Sequence, residues 1–261
     1  MRSTLIEDLY SIDGVLLVEK GVKITGKTLN EVVRKRKKIC YVSLKNTWIT
    51  KDIKKALKDE PYEIIFSPES INKKIISTLK KSSIPEDALK ELKNIKRNLP
   101  YTYHHILVVT ALAMKLSLDK HLKDSFDAKI VPRIGFAHDI GKSRIPLKIL
   151  YKTTPLTTKE FKEIKMHPLI GYTLMHYYYG KDHSKYDKAS YGHHERLDGS
   201  GYPRGIKEMN KYSQMIAVID SLDALVSIRP YRKAPYTIRA AIDHLIENAR
   251  KGKLNKKIVH I

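Results

Sequence analysis

The chain carries a single cysteine, Cys40, among 261 residues, which excludes an internal disulfide and fits a reducing cytoplasm. It also lacks any apolar run approaching the ~18 residues that cross a bilayer. The longest such run, Ile106–Met114, is interrupted by Thr110. The opening MRSTLIEDLY sets acidic residues where an export signal needs an apolar stretch. No internal repeat and no low-complexity tract is present. The expectation is a folded cytoplasmic protein of one large or two smaller domains.

Negative charge is scarce as well. Lys and Arg number 50 against 28 Asp and Glu, a formal charge of +22. A field of that sign concentrates polyanions. The excess is nevertheless spread along a chain rich throughout in Lys, Ile, Asn and Tyr, the pattern of an AT-rich coding bias. It measures a field rather than a site, so nucleic acid is not the expected partner. The densest basic run, Arg34 to Lys38, reads as the exposed end of a helix, where cations favour the C-terminal dipole.

Short apolar runs and helical patterns alternate up to about residue 80. Val15–Val18, Ile39–Val42 and Glu63–Phe66 read as strands, Lys27–Lys37 and Lys51–Lys58 as helices, and Gly14 and Gly21 as turns around the first strand. Residues 1–80 are therefore expected to form a small α/β module. In KKSSIPEDALK, Pro85 suits the first position of a helix and marks a boundary. From residue 84 to 261 the helical period dominates, with Thr157-x-x-Glu160 spaced as a capping box and His167-Pro168 breaking two helices. The fold class is mainly α, an all-helical bundle bearing the smaller module.

The chemistry lies in imidazoles and carboxylates. His138-Asp139 closes the apolar segment IVPRIGFAHDIG, with Gly141 placed as a helix terminator, so the negative end of that helix faces any bound cation. His105 shares a helical face with Val109, Leu112 and Leu116, whereas His104 shares one with Lys115; His105 is the inward histidine. Asp220 ends the apolar run MIAVI, where a carboxylate is costly unless it is paired, capping or metal-bound. Nitrogen and oxygen donors of this kind suit iron, manganese, zinc or cobalt. Gly199, Gly201 and Gly205 allow a tight loop that Tyr202-Pro203 stiffens.

The string HHERLDGSGYP, His193 to Pro203, together with His138-Asp139, resembles the signature of the HD-GYP phosphohydrolases, which linearise cyclic di-GMP. The resemblance runs from about residue 95 almost to the end. It implies an all-helical HD-type bundle and a binuclear centre of His105, His138, Asp139, His167, His193, His194 and Asp220, with Asp139 shared and two divalent ions, iron or manganese foremost. It implies hydrolysis to pGpG, with possible continuation to GMP, by a metal-bridging hydroxide. Lys142 matches the lysine on the scissile phosphate, and Arg229 and Arg232 match phosphate-holding positions. Tyr202 and Pro203 are expected to border the substrate or a docked diguanylate cyclase (GGDEF) domain. Asp223, one turn after Asp220, is read as orienting Lys142 or the attacking water, and Glu195 as fixing a ligating imidazole. Members with a third metal carry Glu where this chain has Tyr101, so two ions are expected.

Two other readings stand beside hydrolysis of cyclic di-GMP. One is a slow or inactive relative that senses the dinucleotide or docks a partner. The other is a phosphohydrolase of a different nucleotide.

Overall fold

A computed structural model describes residues 4–36, 38–122, 125–181, 187–228 and 234–261. Arg229 and Arg232 lie outside the described residues, as does His183.

Two short ribbons hold all the described strands. In the first, β1 (Leu9–Tyr10) pairs antiparallel with β2 (Leu16–Val18) through an irregular register. Gly14 and Gly21 flank β2 at φ 80° and 78°, the left-handed turns expected of them. Helix α1 (Gly26–Arg34) follows, started by a Thr25–Thr28 capping box. Then β3 (Tyr41–Ser43) leads into α2 (Trp48–Ala56) and α3 (Glu69–Lys80). The partner of β3 is β4 (Ser83–Pro85), with Val42 opposite Ile84. Pro85 thus serves both as the last strand residue and as the cap before α4 (Glu86–Asn98), one position earlier than the sequence suggests.

Glu63–Phe66 is not a strand. It belongs to a run of turns between α2 and α3 in which Tyr62 and Phe66 are buried while Ile64 is 68% exposed. The apolar run mimics a strand because two well-spaced anchors in a turn produce the same local pattern. The basic run also differs from expectation. Arg36 lies beyond α1 with only 12% of its side chain exposed, paired with Asp87 and set over the Tyr177 ring.

The bundle centres on α5 (Pro100–Ser117), buried on every face from His105 to Met114. That explains why its apolar run is continuous: a helix apolar all round belongs in a core. Around it stand α6 (Val131–Ala137), α7 (Leu147–Leu150), α8 (Thr158–Ile164), α9 (His167–Tyr179), α10 (Asp187–Gly192), α11 (Lys211–Val226), α12 (Ile238–Arg250) and α13 (Lys256–Val259). A 3-10 turn, Ile140–Arg144, follows α6. The expected capping box at α8 is present, Thr157 and Glu160 each bonding the other's backbone. Pro168 lies in the first turn of α9, where its missing N–H costs nothing. One apolar core joins residues 5–79 to the bundle without a break. No helix among the described residues is long and apolar enough to cross a membrane.

Candidate metal centre

The donor groups come from the ends and inner faces of five helices and one 3-10 turn. His105 sits on α5, His138 caps α6, Asp139 opens the 3-10 turn, His167 begins α9, His193-His194 follow α10, and Asp220 faces inward from α11. Close helix approach makes this convergence possible. A Cβ on Gly141 would lie 2.1 Å from the His167 carbonyl oxygen and 2.6 Å from the Gly171 nitrogen. Gly141 is therefore required for contact with α9, and the left-handed helix terminator read from the sequence is not what it provides: its φ is not positive.

Asp139 lies between two groups of imidazoles. One set of atoms, within 4.8 Å of one another, comprises Asp139, His167, His193 and His194; the other comprises His105, His138 and Asp139. Oδ1 of Asp139 is 3.3 Å from His167 Nε2 and 3.7 Å from His193 Nε2. Its Oδ2 is 3.4 Å from His105 Nε2 and 3.7 Å from His138 Nε2. Asp220 falls outside both sets by that spacing but spans them, with Oδ1 3.1 Å from His105 Nε2 and Oδ2 3.8 Å from His194 Nδ1.

The tautomers follow from the partners. His138, His167 and His193 each direct Nδ1 at the carbonyl oxygen three residues earlier, of Gly135, Ile164 and Ser190, at 2.6 to 2.7 Å. His105 directs Nδ1 at Asp223 Oδ2, 2.5 Å away. A neutral ring that donates from Nδ1 has only a lone pair at Nε2. All four Nε2 atoms turn inward, 3.2 Å apart for His105 and His138 and 3.3 Å for His167 and His193. Converging lone pairs repel unless a cation lies among them. Asp139 Oδ1, buried, has no hydrogen-bond donor in the protein.

The electrostatics agree. Burial drives His138 down to about 3, and also lowers His167 and His194, so these rings are neutral at pH 7. Burial opposes ionisation of Asp139, but the charge of Lys142 beside Oδ2 holds its carboxyl well below the usual range. Burial likewise opposes ionisation of Asp220, and His105 and His194 overcome it. Neutral nitrogens and ionised oxygens are the protonation states metal binding requires. The cluster fits divalent cations with borderline to hard character.

Lys142 places Nζ 2.5 Å from Asp139 Oδ2, its side chain 16% exposed. Tyr202 stacks on His194, ring centroids 4.5 Å apart at 19°, and its peptide bond to Pro203 is cis. The Tyr202 ring thus supports a donor histidine as well as facing the site's edge. Beside Lys142 opens a cavity of about 510 Å³ whose walls include Tyr101, Tyr151 and Phe161.

Asp223 and Glu195 serve other partners than their sequence positions suggest. Asp223 does not reach Lys142 through its bonds at the site. It is fully buried behind His105, receiving His105 on Oδ2 and the Tyr62 hydroxyl on Oδ1, the latter also at 2.5 Å. Glu195 fixes no imidazole. Its buried carboxylate accepts the backbone N–H groups of Arg204, Gly205 and Ile206, so it ties the Gly-Tyr-Pro loop to the HHE segment. Gly201 completes that tie, since a Cβ there would lie 2.4 Å from Glu195 Cα. Tyr62 escaped the sequence reading because nothing local marks a tyrosine that bonds a residue 161 positions away.

The bundle and its cluster of imidazoles and carboxylates accord with the comparison: the HD-domain family matches residues 70–258, and the chain belongs to that family. The match starts earlier than residue 95, where the motifs begin. The chain is similar to the cyclic di-GMP phosphodiesterase response regulator RpfG of Xanthomonas campestris, at 37% identity over 49% of this chain and 34% of that one. It resembles a cyclic di-GMP phosphodiesterase of Thermotoga maritima at 38% identity over 50% and 36% of the respective chains. A 3'3'-cGAMP-specific phosphodiesterase of Vibrio cholerae is 34% identical over 51% of this chain and 30% of its own. The chain spans about a third of the length of these curated relatives.

Proposed function

We propose that the chain hydrolyses a phosphodiester bond of a cyclic purine dinucleotide, cyclic di-GMP foremost, and that residues 84–261 form the catalytic unit with the 1–80 module packed on it. The observation that carries this is the inward convergence of four lone-pair Nε2 atoms on a shared, buried Asp139. His105, His138, Asp139 and Asp220 would hold one divalent ion and Asp139, His167, His193 and His194 a second, iron or manganese suiting the mixed nitrogen and oxygen donors. Such ions, when bound, supply acidification of water and neutralisation of charge at phosphorus.

The chain's own groups do the rest. Lys142 brings a cation to the edge of the centre, where it meets charge developing on phosphate oxygens. The Tyr202-Pro203 element holds the His194 ring in place, and the aromatic cavity beside Lys142 receives a base. Outside the described residues, Arg229 and Arg232 remain our candidates for the distal phosphate. Tyr202 faces inward, which favours a supporting role for this loop over docking of a GGDEF partner. The exposed lone Cys40 accords with cytoplasmic residence.

The relatives act on two different dinucleotides by their names, so 3'3'-cGAMP is the second substrate to test. Metal analysis of the purified chain, with chromatography of products from cyclic di-GMP, 3'3'-cGAMP and cyclic di-AMP, decides the matter. We expect bound iron or manganese and conversion of cyclic di-GMP to pGpG, lost in His138→Ala with Asp139→Ala. Tight binding without product would favour the sensor reading, and turnover by the double variant would remove the centre from the mechanism.

A further inference from the structure

The carboxylate behind His105 is itself held by a residue from outside the family-matched segment. Tyr62 lies in the turn run between α2 and α3, ahead of residue 70, where the match begins. Its hydroxyl donates to Asp223 Oδ1 at 2.5 Å, and Asp223 Oδ2 receives His105 Nδ1 at 2.5 Å. His105 Nε2 then faces His138, Asp139 and Asp220. Tyr62, Asp223 and His105 are 1%, 0% and 2% exposed, so water does not compete for these bonds. Ser227 Oγ, 2.9 Å from the Tyr62 hydroxyl, fixes it from the other side.

We infer that Tyr62 is a positioning residue for the metal centre, supplied by the N-terminal module. A carboxylate that accepts a ring N–H sets both the tautomer and the basicity of a metal-binding histidine. The other three histidines that turn Nε2 inward take this support from a carbonyl three residues away, within their own local backbone. His105 alone among those four relies on a side chain, and that side chain is aimed by Tyr62. The module therefore reaches the chemistry through the Tyr62 phenol. The inference rests on reading the cluster as a metal centre.

The test uses the full chain stripped of metal and titrated with manganese(II) alone, followed by calorimetry and by the resonance signal of free manganese. Tyr62→Phe removes only the hydroxyl. A loss of about 10- to 100-fold in affinity for an ion is expected, the usual effect of removing a group that supports a ligand. Tyr103→Phe is the control for lost stability. Tyr103 lies on the same helix as His105 and donates to Asp52 at 2.7 Å, away from the cluster, so manganese affinity should stay at the wild-type value. Equal losses in both variants, or none in Tyr62→Phe, would overturn the assignment. Should Tyr62→Phe not fold, Ser227→Ala must weaken manganese binding in the same direction, and unchanged binding there counts against Tyr62. If the wild-type chain binds no manganese or iron, the metal reading fails and this inference with it, a result distinct from failure at Tyr62 alone.

Discussion

Asp139 is the residue on which both halves of the centre depend, and Lys142 is the cation that the described structure sets on its oxygen. On the proposed function, the pair separates holding from catalysing. Lys142 makes no part of either donor set, so its loss should leave metal in place while removing charge stabilisation. Lys142→Ala is expected to lower kcat by roughly 10²- to 10³-fold, the effect typical of deleting one preorganised donor. Metal content should remain at the wild-type level. Steady-state kinetics with cyclic di-GMP, beside elemental analysis, would check this, and loss of metal in the variant would recast Lys142 as a structural partner of Asp139.

At the scale of helices and loops, the site depends on close backbone approach more than on side-chain reach. The 3-10 turn after α6 passes α9 at Gly141 with no room for a methyl group. Gly141→Ala must push α9 and His167 outward, at a cost of roughly 1–3 kcal/mol for overpacking. A lower Tm together with weaker manganese binding is expected, whereas Thr157→Ala, which removes only the cap of α8, should cost about 1 kcal/mol and leave kinetics unchanged. Calorimetric melting of both variants makes the comparison.

The same scale explains what could be read from the sequence. The cluster brings together His105, which the sequence marks by its buried helical face, His138 and Asp139, marked by a helix end, and His167, His193 and His194, which only the family resemblance singled out. The capping box of α8 and the turns at Gly14 and Gly21 carry local marks too. The roles of Gly141, Glu195, Asp223 and Tyr62 have no such local mark. Their partners lie on different elements, and one-dimensional spacing carries no record of which helix packs against which. The strand expected at Glu63–Phe66 failed likewise, since burial of Tyr62 and Phe66 is decided by the bundle they meet.

For the whole molecule, the centre makes stability depend on acid. His138, His167 and His194 have folded pKa values below the unfolded value of about 6.5. Below that pH the unfolded chain binds more protons than the folded one, so stability rises with pH through this range and falls on acidification. Metal-free protein should therefore melt at progressively lower temperature from pH 7 toward pH 5, where the folded rings still resist protonation. Added manganese should raise Tm at pH 7 by mass action and do so less at pH 5, because protons compete for the same nitrogens. Melting curves at several pH values, with and without the ion, would show it, and a flat profile in the stripped protein would mean that the rings are not buried neutral.

Three of the four inward rings are pinned by carbonyl oxygens of their own turns. The direction in which these rings aim is therefore inherited from backbone geometry, and any change that unwinds one of those turns swings a nitrogen away from its fellows.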